Sequence, residues 1–268
     1  MFITFLTDFG LEDDFVGTCH GVMKRIAPDS QIVDLTHGIR PGRILQGALA
    51  LANALPYMPS GVHLAIVDPG VGSSRRPLAL RDGEGRLYVG PDNGLLLPAV
   101  DRFGGVAEAH ELANPAYALD SVSRTFHGRD LFSPAAAHLS AGVSLGELGP
   151  PIDPEALVRL DLPVPEVGAS RIRTTVLAVD RFGNVALNLT RDHLDHASIV
   201  PGTRVELAAR GNRYYAVAAR TFADATPGEL ILYEDSYRNV AVAVTRGSAA
   251  SLLGVEEGSE LVVAVDAI

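Results

Sequence analysis

The sequence predicts two domains of different class. Residues 1–155 read as an α/β domain, a layered mixed or parallel sheet flanked by helices, and residues 171–268 as a smaller, mostly antiparallel β domain. Three observations carry this. Strand and helix signals alternate over the first 150 residues. A proline-rich stretch, G-P-P-I-D-P-E followed by Pro163 and Pro165, then breaks the pattern and marks a linker at 156–170. Beyond it the apolar period falls to two, and no long helical pattern returns.

The elements follow in order. Phe2 to Leu6 is an apolar strand that ends at T-D-F-G. Phe15, Cys19, Val22, Met23 and Ile26 recur at helical spacing, and Pro28 stops that helix. Ile32 to Leu35 reads as a strand, and Ile44, Leu45, Ala48, Leu49, Ala52 and Leu55 as a second amphipathic helix. Val62 to Val67 is a buried strand, Leu87 to Val89 another, and N-G-L-L-L-P-A-V begins a helix. A further helix follows H-G-R-D, through Leu131 to Leu139. In the second domain Ile172-Thr174-Val176-Ala178 alternates, and V-E-L-A-A-R-G-N-R-Y-Y-A-V-A-A-R reads as a hairpin turning at Gly211-Asn212. Leu230 to Tyr233, Val240 to Val244 and Leu261 to Val265 are strands. A small antiparallel sheet or barrel accommodates them.

Composition narrows the function classes. The net charge is −10, and Lys24 is the only lysine among 22 basic residues. An acidic surface argues against a nucleic-acid partner. No apolar run is long enough to span a bilayer, and the opening Met1-Phe2-Ile3-Thr4 lacks a basic signal region, so the expected location is cytoplasmic. Cys19 is the only cysteine; a buried helix thiol is the expected role, with no intramolecular disulfide and no cysteine zinc cage.

Ligands of an α/β sheet gather at the carboxyl ends of its strands. Asp8, Asp68, Asp92 and Asn93 fall at such ends, and His127 precedes a helix in T-F-H-G-R-D. Asp180 and Asn184 flank a turn in V-D-R-F-G-N. Taken singly, each fits a turn starter or helix cap as well as a catalyst. Glu12, Asp13 and Asp14 fit helix capping, and Arg76 fits a solvated charge at a strand edge. His20, His37, His63, His110 and His138 lack a supporting pattern, and the pair His193 and His196 lacks a third ligand, so no metal site is expected. The stretch G-V-G-S-S-R-R lacks the lysine and hydroxyl of a phosphate-binding loop.

Seven motifs in fixed order carry more than any one of them. T-D-F-G, V-D-P-G-V-G-S-S-R-R, P-D-N-G-L-L, T-F-H-G-R-D-L-F-S-P-A-A, V-D-R-F-G-N, T-F-A-D-A and Y-E-D-S-Y span nearly the whole chain. The set resembles the S-adenosyl-L-methionine hydroxide adenosyltransferases, relatives of the fluorinating and chlorinating enzymes that act on the same substrate.

The resemblance implies hydrolysis of S-adenosyl-L-methionine to adenosine and L-methionine, by attack of water or hydroxide on ribose C5′, with no cofactor and no metal. It implies a catalytic trio of Asp68, Arg75 and His127. Arg75 and Arg76 are adjacent, and alternation along an extended segment sends only one of them to the site; counting through the glycine turn selects Arg75. Either Asp68 or His127 is open as proton acceptor. Asp8 resembles the carboxylate that takes both ribose hydroxyls. Asp180 and Ser236 resemble the groups that hold the methionine ammonium and carboxylate, and Phe182 and Phe222 the aromatic walls of the adenosine pocket. Asn184 resembles the reader of the adenine edge, beside the backbone of Gly247 and Ser248. Gly42 stands where relatives often carry an aromatic residue. Tyr237 stands where halogenating relatives carry an arginine, with Arg238 next, so the partner of the methionine carboxylate is left open between them. The resemblance also implies a homotrimer with active sites formed between subunits.

Two other readings compete. A halogenase would use chloride or fluoride on the same substrate, but an anionic Asp68 repels a halide by roughly several kcal/mol in a dry site. A non-catalytic S-adenosyl-L-methionine or nucleoside binder needs Asp8 and Asn184 but not the trio.

Overall fold

The structure is a computed structural model and describes residues 1–265. The chain divides into two compact units, Met1–Leu160 and Asp161–Ile268.

The first unit runs β1 (Phe2–Thr7), α1 (Phe15–Ile26), β2 (Gln31–Thr36), α2 (Ile44–Ala54), β3 (Val62–Ile66), β4 (Pro77–Asp82), β5 (Leu87–Pro91), α3 (Leu97–Asp101), β6 (Val106–Glu111), α4 (Ser133–Ser140) and α5 (Leu145–Leu148). One sheet has the order β2-β1-β3-β5-β4-β6. β2, β1, β3 and β5 are parallel, and β4 runs against both its neighbours, so the sheet is mixed. The apolar runs in β1 and β3 exist because both faces of the sheet are covered. Alternation divides them: Ile3, Phe5, Leu64 and Ile66 pack with α1 and α4, whereas Leu6, Ala65 and Val67 pack with α2 and α3. Gly47 lets α2 approach closely, since a Cβ there would stand 2.9 Å from side-chain atoms of Leu95 and Val67.

β2 lies on one side of β1 and β3 on the other, so the loops after β1 and β3 diverge at a topological switch point. That is where an open α/β sheet forms its crevice. The helix expected from N-G-L-L-L-P-A-V is short, only Leu97–Asp101, and follows a turn rather than starting at Asn93. The capping role expected of the acidic run before α1 is not realised: Asp14 accepts from the Thr18 hydroxyl at 3.0 Å and makes no bond to a first-turn N–H. Cys19 is fully buried, and burial pushes its thiol up to about 11.

The second unit holds β7 (Glu166–Val167), β8 (Arg171–Val179), β9 (Val185–Leu187), α6 (Arg191–His196), β10 (Arg204–Ala209), β11 (Asn212–Ala218), β12 (Leu230–Glu234), β13 (Val240–Val244), α7 (Ala249–Leu253) and β14 (Glu260–Val265). Its order is β14-β10-β11-β12-β13-β9-β8-β7, and β14 also pairs with β8, which closes a barrel-like sheet. Among the described strands, β11 and β12 are the parallel neighbours, and the other pairs are antiparallel. Ile172, Val176, Val205, Leu207, Val242 and Val263 fill its interior. The β10–β11 hairpin turns at Arg210-Gly211, one residue before the expected position, because both residues there have positive φ, 50° and 81°.

Candidate active site

The segment after β3 is pinned at its root. Asn93 Nδ2 donates to the Val67 carbonyl at 2.8 Å. The chain then folds back on itself: Val71 N–H donates to Asp68 O at 3.2 Å and Ser73 N–H to Gly70 O at 3.1 Å. The doubling-back aims Arg75 at Asp68. Arg75 Nε donates to both carboxylate oxygens at 3.0 Å, and Nη2 donates to Oδ2 as well. The same Nη2 meets His127 Nδ1 at 3.0 Å. Both partners of the ion pair are nearly buried, with side chains 9% and 6% exposed. The guanidinium rests over the Phe132 ring at 5.0 Å. Its remaining nitrogen, Nη1, is buried and has no hydrogen-bond partner.

Arginine only donates, so His127 Nδ1 accepts, and the neutral ring carries its proton on Nε2. Burial, then the Arg75 charge, holds His127 below its ordinary value, so the ring is neutral near pH 7. His127 opens a wide π-type turn, Gly128–Phe132, braced by the buried Asp130. Asp130 accepts from Ser123 N–H at 2.8 Å and from Arg129, and its carbonyl takes Leu119 N–H at 2.9 Å. Gly72 joins this turn to the first: its φ is +78°, and a Cβ there would stand 2.5 Å from the Arg124 carbonyl.

Asp8 follows β1 as Asp68 follows β3, and the two strands pair in parallel with Thr7 opposite Ile66. Asp8 Oδ2 accepts from Gly42 N–H at 2.8 Å. Burial raises its pKa first, and the Asp68 charge adds to the rise, against the pull of that N–H. The first unit therefore brings Asp8, Asp68, Arg75 and His127 to the switch point. Arg76 goes elsewhere, and the expectation of a solvated edge charge is corrected. It donates to the buried Asp92 at 2.9 Å and to the Ala156 carbonyl at 2.5 Å, while Asp92 also takes Val158 N–H at 2.9 Å. Asp92 and Asn93 thus brace the segment that carries Asp68 and Arg75. Both stand at a strand end, and the P-D-N-G turn is the sequence signal of the bracing.

In the second unit, Asp180 Oδ1 accepts from Phe182 and Asn184 N–H at 2.8 and 2.9 Å, and Oδ2 from Asn184 Nδ2 at 2.7 Å. Phe182 is 69% exposed at the tip of this turn. Gly183 meets Ser248 so closely that a Cβ would be 2.1 Å from its Oγ, and its carbonyl takes Ala250 N–H at 2.9 Å. Asn184 and the Gly247-Ser248 corner are therefore neighbours. Phe222 packs against Tyr233 with ring centroids 5.0 Å apart. Tyr233 is pushed up to about 12 by burial, then by Asp235 and Asp180, which places it between two aspartate turns. Ser236 and Tyr237 stand exposed in the second of these, where Asp235 accepts from Tyr237 N–H at 2.8 Å and Asn239 N–H at 3.0 Å. Arg238 is drawn to Glu234 at 2.9 Å. His193 accepts from Thr190 N–H at 3.0 Å, a helix-capping role.

Comparisons with known proteins agree in both units. Residues 3–149 match the SAM hydroxide adenosyltransferase N-terminal domain, and residues 174–262 the C-terminal domain of the same family. An (R)-S-adenosyl-L-methionine hydrolase from Salinispora tropica is 48% identical, over 97% of this chain and 96% of its own length. A fluorinase from an Actinoplanes species is 30% identical over 90% of each chain. The crystal structure of an uncharacterized conserved protein from Thermotoga maritima superposes with a TM-score of 0.91 at 35% identity, covering 98% of this chain and 99% of that one. With both halves matched, the chain belongs to the SAM hydroxide adenosyltransferase family.

Proposed function

We propose that this protein hydrolyses S-adenosyl-L-methionine to adenosine and L-methionine, with Asp68, Arg75 and His127 as the catalytic residues. The observation that carries the reading is the carboxylate–guanidinium–imidazole contact at the switch point, in a chain 48% identical to a hydrolase of that substrate.

The sulfonium leaving group needs neither a proton nor a Lewis acid, so the demand falls on the nucleophile. A water in line with C5′ and sulfur forms the O–C5′ bond as the C5′–S bond breaks, and the electron pair stays on sulfur as a neutral thioether. The unpartnered Arg75 Nη1 donor is suited to hold that water and stabilise developing hydroxide. The proton goes to Asp68. His127 is a poor acceptor because Nδ1 is occupied by Arg75 and Nε2 already carries hydrogen. Its task is to hold the guanidinium in plane. Asp8 takes the two ribose hydroxyls. Asp180, Ser236 and Tyr237 hold the methionine end, Phe182 and Phe222 flank the adenosine, and Asn184 reads the adenine edge. The working assembly is a cytoplasmic homotrimer with sites shared between chains. No cofactor takes part.

A halogenase is the runner-up, and the anionic Asp68 disfavours it: at about 4 Å and an effective dielectric of 20, halide repulsion costs about 4 kcal/mol before the Arg75 charge offsets part of it. Incubation with resolved (R) and (S) epimers of S-adenosyl-L-methionine in heavy-oxygen water decides. The expected product is adenosine labelled on its 5′ hydroxyl, with methionine. A 5′-chloro nucleoside in chloride buffer supports the runner-up, and the absence of any adenosine from folded protein defeats the hydrolase reading. Mixing inactive Asp68→Asn and Asp180→Ala proteins tests the shared sites, since exchanged trimers regain activity only if the two residues serve one site from different chains.

A further inference from the structure

Three side chains outside the catalytic trio converge on one point. His20 on α1 and His37 after β2 both direct Nε2 at Asp34 Oδ1 on β2, at 2.9 and 3.1 Å. The three donor atoms lie within 4.8 Å of one another. The Phe5 ring packs against both imidazoles, with centroids 5.7 and 4.9 Å away, and fixes their planes.

His37 is 5% exposed, and its Nε2 is buried with no hydrogen-bond partner despite facing a carboxylate. Its other nitrogen is engaged: Nδ1 meets the buried Thr7 hydroxyl at 2.9 Å. A histidine that ligates metal uses its second nitrogen in this way, because the outer bond fixes the tautomer and leaves the inner lone pair free. When Nδ1–H donates to Thr7, Nε2 turns a lone pair toward the anionic Asp34. Two electron-rich atoms at that distance call for a cation.

We propose that His20 Nε2, Asp34 Oδ1 and His37 Nε2 bind one divalent transition-metal ion of the zinc type. Two imidazoles and a carboxylate suit zinc, cobalt or nickel better than the oxygen-seeking calcium or magnesium. A tetrahedral ion with bonds of about 2.1 Å spaces its ligands about 3.4 Å apart. The two separations to Asp34, 2.9 and 3.1 Å, lie a few tenths of an ångström below that, and the His20 and His37 nitrogens, within 4.8 Å of each other, are brought to it by rotating the partly exposed His20. Asp34 and His20 are partly exposed, which leaves solvent for the fourth position and an entry path. The ion takes no part in the attack on C5′. It ties α1, β2 and the segment after β2 together. That segment holds the Asp8 loop, through the His37 carbonyl to Gly10 N–H at 2.8 Å and through Thr7 to Phe9 N–H at 3.1 Å.

The test is calorimetric titration of the full-length, chelator-stripped protein with zinc chloride. One equivalent per chain is expected, with a dissociation constant in the micromolar range or tighter, and a melting temperature raised by at least about 2 °C at saturation. Cobalt should give the strong visible absorption of a low-coordinate site. His20→Ala and Asp34→Asn should each weaken zinc at least tenfold. The His193→Ala/His196→Ala double variant should bind as the parent does. Absence of saturable binding at about 100 μM zinc overturns the proposal. So does binding that survives both His20→Ala and Asp34→Asn, or that disappears with His193 and His196. Should either variant fail to fold, anomalous scattering from a zinc-soaked crystal of the unaltered protein serves instead: a peak between the three donor atoms supports the site, and its absence rejects it.

Discussion

Gly72→Ala is a small change with a calculable reach. The added Cβ would stand 2.5 Å from the Arg124 carbonyl oxygen, where ordinary contact begins at 3.4 Å, so one backbone or the other must yield about 0.9 Å. The residue also keeps φ at +78°, which costs an alanine about 1 kcal/mol. Arg124 lies three residues before His127, and Gly72 three before Arg75, so the displacement falls on the His127 Nδ1 to Arg75 Nη2 contact, now 3.0 Å. Misplacing a catalytic group by about 1 Å costs about 100-fold in rate. We expect kcat to fall between about 10- and 100-fold with KM little changed, and stability to fall by about 1–3 kcal/mol in urea unfolding. Gly85→Ala is the control, since its φ of +89° brings the same strain with nothing within 4 Å to meet the new methyl. If Gly72→Ala keeps the parent kcat while its stability falls no further than that of Gly85→Ala, the coupling of the two turns is refuted.

Other expectations follow from the same contacts. Asp68→Asn should lower kcat by about 100- to 10,000-fold, whereas His127→Asn, whose amide oxygen can replace Nδ1 as acceptor from Arg75, should lose at least about tenfold less; equal losses would return the proton to His127. Arg75→Gln should abolish measurable turnover. Arg76→Gln should lose less than about tenfold in kcat but about 2 kcal/mol of stability, because Asp92 is left buried without its cation; a collapse of turnover there would mean that Arg76 is the working arginine. Acid should destabilise the fold through His63, which is fully buried and held at about 4 by desolvation, then by Arg86. The unfolded state takes up the proton first, so stability is intact above about 6.5 and falls as pH drops to about 4, by about 3 kcal/mol in all. Urea midpoints at pH 7 and 4.5 should show most of that loss in the parent and a flatter profile in His63→Leu; parallel profiles would rule out His63 as the source.

The legible parts of the fold were those where one physical signal dominates. β1 and β3 are buried on both faces and therefore read as apolar runs, and α1 packs one face and therefore shows its period. β4 and β6 were harder. β4 carries Arg81 and Asp82, and β6 carries Glu108 and His110: Arg81 pairs with Glu108 across the two strands, while Asp82 and His110 are buried on non-local partners, the Tyr88 hydroxyl and the Gly149 carbonyl, each at 2.8 Å. The catalytic candidates were visible only as strand-end polar residues until the ordered motifs narrowed them. The bracing of the site was not visible, since Asp92 to Arg76 and Asn93 to Val67 are contacts across 16 and 26 residues that no local pattern encodes. The histidines of the α1–β2 cluster show no local pattern for the same reason: His20 and Asp34 are 14 residues apart and meet only because α1 packs beside β2.

The two aspartate turns of the barrel show why ligand roles there are hard to derive from type and spacing alone. D-R-F-G-N and D-S-Y-R-N adopt one geometry: the aspartate accepts the N–H groups two and four residues on, and the fourth residue has positive φ, 81° at Gly183 and 70° at Arg238. Each carboxylate is thus committed to its own turn before any ligand arrives. Asp180 fills three of its roughly four acceptor sites with Phe182, Asn184 and the Asn184 amide, and one remains, on Oδ2, for a ligand ammonium. Asp235 lies in the equivalent position with both turn bonds on Oδ1, so its Oδ2 is left outside the turn, beside the exposed Ser236 and Tyr237. Arg238 is 87% exposed and gives one of its five donors to Glu234 at 2.9 Å, a surface pair that holds it weakly and leaves the rest of the guanidinium open. The Arg238 charge is therefore free to turn toward a ligand beside the Ser236 and Tyr237 hydroxyls, and residue type and spacing alone do not rank the three as the hold on the proposed methionine carboxylate.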